Sequence, residues 1–205
     1  MSARFELNGD IETGAASRLA GVLSANPGAV TMFINSPGGD ALEGAALMAE
    51  VERHGAVTVH VQGVAASAAT LPMVAAKEVI LHPAAMVMIH EPSAWGGGTA
   101  DELRDTAAAL DKMSATYAAA YARHTGHPVA RIAAWMKAET WLTAEEAVEL
   151  RFADRIEAAK APQMVAAYDY TKFHQPPEDL VRLTKKNGWA TGSPIPKTQE
   201  KKDAA

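Results

Sequence analysis

Five strand-length runs lie along this chain, the first four separated by longer alanine-containing stretches, and that alternation most limits what it can fold into. The runs fall at 4–8, 29–34, 57–62, 78–81 and 86–89. Between the first two, residues 13–25 place Ala16, Leu19, Val22 and Leu23 on one helical face, and 40–54 reads as a second helix. Successive strand–helix–strand units favour right-handed crossovers, with helices packed on a parallel-rich sheet. The fold class expected is α/β.

A chain of 205 residues can bury one continuous core and still leave tails. The absence of cysteine excludes disulfides, thiolate nucleophiles and cysteine-based zinc sites. Acids and bases are well mixed around a net charge of −5, which argues against a nucleic-acid-binding surface. No stretch is long and apolar enough to span a bilayer, and Met1 to Phe5 lacks the apolar centre of a signal peptide. The expectation is a soluble, cytoplasmic protein without membrane or nucleic-acid partners.

Three segments carry chemistry. After the run at 57–61, Gly63-Val64-Ala65-Ala66-Ser67-Ala68-Ala69 has almost no side chains to shield the Ser67 hydroxyl. A serine at a strand-to-helix junction has free backbone N–H groups beside it. Upstream, Ile34-Asn35-Ser36-Pro37-Gly38-Gly39-Asp40 reads as a tight turn after the strand at 29–34. Asp40 would cap the following helix, Glu43 has capping-box spacing, and the Gly39 N–H could bind an oxyanion. Downstream, Met86-Val87-Met88-Ile89-His90-Glu91-Pro92 delivers a histidine at the end of an apolar strand. Each segment alone has a purely structural explanation.

In order and spacing the three resemble the ClpP family of serine peptidases, which carries an I-N-S-P-G-G turn, a G-x-A-A-S segment and an M-I-H-x-P segment. The resemblance extends from about Arg4 to Ile156, where Thr143 to Leu150 looks like the family's late S/T-A-x-E-A segment, leading into a short strand at 153–156. It implies a crotonase/ClpP-type spiral of β-α-β units, with residues 100–124 as a protruding handle helix between rings of identical subunits. Leu103, Ala107, Leu110, Met113, Tyr117 and Tyr121 recur along that stretch, and Gly126 suits a left-handed cap. The resemblance further implies Ser67 as nucleophile, His90 as general base, and Gly39 and Ala68 N–H groups as the oxyanion hole, with no metal or cofactor. The family's usual aspartate corresponds to Glu139; Asp101, Asp105 and Glu91 rival it by closeness to His90 in sequence. Lys77 would allow a Ser–Lys dyad, although a surface charge explains it as well. An apolar specificity pocket would draw on Met88 and the alanines near Ser67.

Within the family, Glu139, the three residues ahead of Arg4 and the extended C-terminus are expected to mark a phage or prophage head-maturation protease. Such an enzyme cleaves scaffold and capsid proteins in the host cytoplasm or inside the prohead, and axial loops for an AAA+ unfoldase are not expected in their usual form. The alternatives are an ATP-dependent ClpP-type proteolytic subunit, and a non-catalytic or acyl-CoA-binding protein on the same fold. Residues 1–160 form the expected peptidase domain. Residues 161–205 form an extension of fading periodicity, disordered from Gly192 to the charged end. His124 and His127 straddle a helix end and are expected to be solvated rather than to bind a metal.

Overall fold

The computed structural model describes residues 3–158 and 167–190 of the chain. Its centre is strand β3 (Val57–Ala66). Val57, Val59 and Val61 are buried and alternate with half-buried Thr58, His60 and Gln62, whereas Gly63 to Ala66 are buried without interruption. This change of pattern marks a strand covered first on one face and then on both. The pairing agrees. Residues 58–61 of β3 pair with β4 (Glu78–Leu81), and residues 64–66 pair with β5 (Met86–Ile89).

On the other side of β3 lie β2 (Val30–Gly39) and then β1 (Ala3–Ile11), while β7 (Arg155–Ile156) flanks β4. All these neighbours are parallel, and only β6 (Thr140–Thr143) runs antiparallel, against β5. The expected mixed α/β fold is therefore present. The helices of the sheet-forming unit are α1 (Ala15–Ala25), α2 (Ala41–His54), α3 (Thr70–Val74), α4 (Ala100–Thr125), α5 (Val129–Lys137) and α6 (Ala144–Glu149). Leu19 and Leu23 of α1 and Leu47 and Val51 of α2 join Met32 and Ile34 of β2 in the core. Each such side chain contributes on the order of 1.5–3 kcal/mol through its removal from water.

Two local expectations need correcting. Ser36-Pro37-Gly38-Gly39 is not a turn that ends the strand; β2 continues through it, with Gly38 and Gly39 paired to Asp10 and Ile11 of β1. A register shift between Asn8 and Asp10 in β1 accommodates the irregular backbone there. Asp40 does cap α2, accepting from the N–H groups of Leu42 and Glu43. Glu43 does not return the capping-box bond, because the Asp40 N–H is already donated to Ile11 O at 2.9 Å. Its carboxylate instead accepts from the N–H groups of Gly14 and Ala16, both at 3.0 Å, so α2 caps the start of α1. Those two bonds hold the Glu43 carboxyl below its ordinary pKa.

Helix α4 begins with a capping box between Thr99 and Glu102, and it ends on Gly126 in the left-handed conformation expected of that glycine. Residues 100–109 are exposed, and burial starts in earnest only at Tyr117. The neighbouring histidines are not solvated as expected. His124 is half-buried, with the carbonyls of Phe152 and Val74 among its neighbours, while His127 bonds Leu150 O and stacks edge-on against Trp135.

A second unit holds residues 167–190. A 3₁₀ turn (Tyr170–Lys172) is capped by Asp169 and followed by α7 (Glu178–Asn187). Thr184 on α7 accepts the Tyr170 N–H at 3.1 Å, and the rings of Tyr168, Tyr170 and Phe173 cluster. Residues 178–187 of the extension thus form a regular helix. The boundary expected at 160 and the disorder expected from Gly192 onward lie outside the described residues. Among the described residues no helix is long and apolar enough to cross a membrane.

Candidate active site

Strand register alone brings three of the singled-out residues together. Ala66, the last residue of β3, pairs with Met88 of β5, so Ser67 leaves its strand beside the end of β5 where His90 follows. Ile89 of β5 pairs with Thr140 of antiparallel β6, so stepping one residue outward sets His90 opposite Glu139. The side chains complete what the backbone begins. Ser67 Oγ lies 2.7 Å from His90 Nε2, and Glu139 Oε2 lies 4.0 Å from His90 Nδ1.

Ser67 opens a 3₁₀ turn (Ser67–Ala69) with φ +55°, a left-handed conformation that is uncommon outside glycine. Glu139 is likewise left-handed at φ +50° and is buried, with 6% of its surface exposed. Strain of this kind, at two residues that face one histidine, is what a constrained functional site leaves in the backbone. The Trp141 indole N–H donates to Glu139 Oε1 at 3.3 Å, leaving Oε2 on the His90 side.

The other candidates fall elsewhere. Asp101 and Asp105 are exposed on α4, with Asp101 ion-paired to Arg104, and Glu91 and Lys77 are exposed. Gly38 and Gly39 lie at the end of β2 with φ +101° and +144°. A Cβ on Gly38 would stand 2.7 Å from both Ala66 O and Ser67 Cβ and 3.1 Å from Ala68 N, so only glycine allows β2 this close to the serine segment. The Gly38 N–H is donated to Ser36 Oγ at 3.1 Å.

A cleft of about 240 Å³ opens beside Ser67 and His90. Ala41, Ala68, Leu71, Pro92, Tyr117 and Tyr121 form its walls. Met88, expected there, is instead wholly buried in the sheet. The tyrosines were missed as cleft residues, although their i, i+4 spacing on α4 was the available signal. The Tyr117 hydroxyl donates to Ala41 O at 2.9 Å, bracing the cleft's two sides. A hydroxyl in contact with an imidazole, beside a small apolar cleft, is the arrangement needed for acyl transfer.

Comparison with known proteins shows the family. The sequence model of the Clp protease family matches residues 6–160, and the chain belongs to that family, whose members are serine-type peptidases. ATP-dependent Clp protease proteolytic subunit 3 of Rhodococcus jostii (strain RHA1) is 32% identical over 160 residues, covering 73% of this chain and 78% of the relative. Proteolytic subunit 2 of Thermobifida fusca (strain YX) is 33% identical over 132 residues, covering 62% and 64% respectively. A solved structure of a ClpP1 point mutant from Listeria monocytogenes superposes with a TM-score of 0.69 at 23% identity, covering 77% of this chain and 92% of that one. At that identity the superposition shows a shared fold.

Proposed function

We propose that this chain is a serine endopeptidase working as a Clp-type proteolytic subunit, with Ser67, His90 and Glu139 as its catalytic groups. The 2.7 Å contact between Ser67 Oγ and His90 Nε2 carries the reading. His90 Nε2 takes the hydroxyl proton while Oγ attacks the scissile carbonyl carbon. The tetrahedral intermediate then collapses, and the amine departs with the proton held by His90. Water, activated by the same imidazole, releases the acyl group from Ser67. Glu139 favours the imidazolium formed in each step.

The oxyanion is received by the N–H groups of Gly39 and Ala68. A Cβ on Gly38 would meet Ala66 O and Ser67 Cβ, so the end of β2 that carries Gly39 packs directly against the Ser67 segment. Such a pair supplies the electrostatic stabilisation on which acyl transfer most depends.

The bacterial relatives are named proteolytic subunits of ATP-dependent Clp proteases, which supports a subunit of an ATP-dependent assembly. In this reading the chain forms homo-oligomeric rings and degrades protein chains delivered by an unfoldase. Phage head maturation, cleaving scaffold and capsid proteins, has the Glu139 substitution in its favour and is the second reading. Incubating the assembled protein with an unstructured model protein and sequencing the products by mass spectrometry tests the proposal. Internal cleavages abolished by Ser67→Ala are the expected result. No cleavage of any unstructured chain by the assembled wild type would overturn it. Stimulation by an AAA+ unfoldase and ATP separates the two readings.

A further inference from the structure

The carbonyl of Ser67 is held twice by one residue. It accepts the backbone N–H of Thr70, closing the 3₁₀ turn, and also the Thr70 hydroxyl at 2.6 Å. A second contact, 2.7 Å, joins Thr70 Oγ1 to the hydroxyl of Tyr121 on α4, fifty-one residues further along the chain. The proton assignment follows from counting. A carbonyl only accepts, so the single Thr70 hydroxyl proton is committed to Ser67 O, and Tyr121 must donate to Thr70 Oγ1. Thr70 is wholly buried and Tyr121 is 2% exposed, so neither group can exchange its partner for water. Burial raises the Tyr121 phenol well above its ordinary pKa, which keeps the proton needed for donation.

We propose that Tyr121 and Thr70 are positioning residues that lock the Ser67–Ala68 peptide plane and thereby aim the Ala68 N–H at the oxyanion. In a trans peptide the C=O and the following N–H point in opposite directions, so a carbonyl fixed by two donors fixes the amide as well. A local threonine bond to its own turn is common and would need no function. Here the threonine is itself oriented by a tertiary donor, and the peptide it restrains belongs to the left-handed Ser67. The inference rests on the peptidase reading above.

Thr70→Val preserves shape and removes the hydroxyl, Thr70→Ser restores the hydroxyl, and Tyr121→Phe removes only the outer donor. The assay is hydrolysis of a fluorogenic peptide together with inhibition by a peptide aldehyde, whose tetrahedral adduct needs the oxyanion donors. Thr70→Val is expected to lower kcat roughly tenfold with KM unchanged and to weaken the aldehyde by a similar factor. Thr70→Ser should recover to within about twofold, and Tyr121→Phe should lose about threefold. A crystal structure of Thr70→Val should show the Ser67–Ala68 peptide rotated. Wild-type kcat and aldehyde affinity in Thr70→Val, or an unrotated peptide, would overturn the positioning role while leaving the peptidase reading intact. So would a Thr70→Ser variant as impaired as Thr70→Val. An inert wild type would overturn the peptidase reading itself, and the positioning role with it.

Discussion

His90 faces Glu139 across the register of β5 and β6, with Nδ1 4.0 Å from Oε2, a separation in ion-pair range but beyond hydrogen-bond length. The carboxylate therefore supports the imidazolium by charge from a buried position and orients the ring less strictly than a directly bonded acid. Glu139→Gln removes that charge and keeps the shape. It is expected to lower kcat on a peptide substrate roughly 10²-fold, short of the ~10⁴-fold loss seen when a directly bonded triad acid is neutralised. Wild-type turnover in Glu139→Gln would assign the role to another acid.

Trp141 reaches the same carboxylate from behind through its indole N–H. Trp141→Phe removes this bond to Glu139 and should lower kcat about three- to tenfold without changing KM, a modest loss appropriate to one hydrogen bond. Equal loss of kcat and thermal stability would instead mark Trp141 as a packing residue.

Gly38 separates close backbone approach from ordinary helix glycine. Gly38→Ala meets Ala66 O and Ser67 Cβ at 2.7 Å from a left-handed φ, so a loss of about 2–4 kcal/mol in urea unfolding is expected, with loss of activity. Gly21→Ala, on exposed α1 with nothing within 4 Å of the added Cβ, should gain about 0.5–1 kcal/mol. A neutral Gly38→Ala would remove the basis for the β2–Ser67 contact.

His124 ties stability to pH. Burial lowers its pKa, outweighing the carbonyls of Phe152 and Val74 and the charge of Asp154, all of which pull the other way. The unfolded chain therefore binds this proton more readily, so the stabilising contribution is complete above about pH 6.5 and declines as pH falls toward the folded-state value. Differential scanning at pH 7.5 and 5.5 should show a smaller drop in Tm for His124→Gln than for wild type. An identical drop would show that His124 does not titrate on unfolding.

How much of this was legible depended on whether a segment's neighbours lie close in sequence. The runs at 78–81 and 86–89 are strands over those residues because a continuous apolar run bounded by polar residues leaves little choice. Ser67 and His90 could be named because each follows such a run. Strand β6 and helix α5 were not anticipated. Thr140 to Thr143 is only four residues long, and its pairing partner lies some fifty residues upstream. Without β6, the facing of His90 and Glu139 rested on family likeness alone. Pro37-Gly38-Gly39 misled for the opposite reason. Its residues have strong local turn chemistry, but the ladder to Asp10 and Ile11 overrides it. The tyrosines of the cleft lie on a helix whose first turns face solvent, so its spacing did not reveal where burial begins.

Reaction of the assembled protein with a fluorophosphonate measures the central claim most directly, because the reagent marks a serine only when a neighbouring base has activated it. The account requires one adduct per chain, mapped to Ser67 by peptide mass spectrometry, absent from Ser67→Ala and nearly absent from His90→Ala. An adduct that persists in Ser67→Ala, or an assembled wild type that takes up no label, would contradict it.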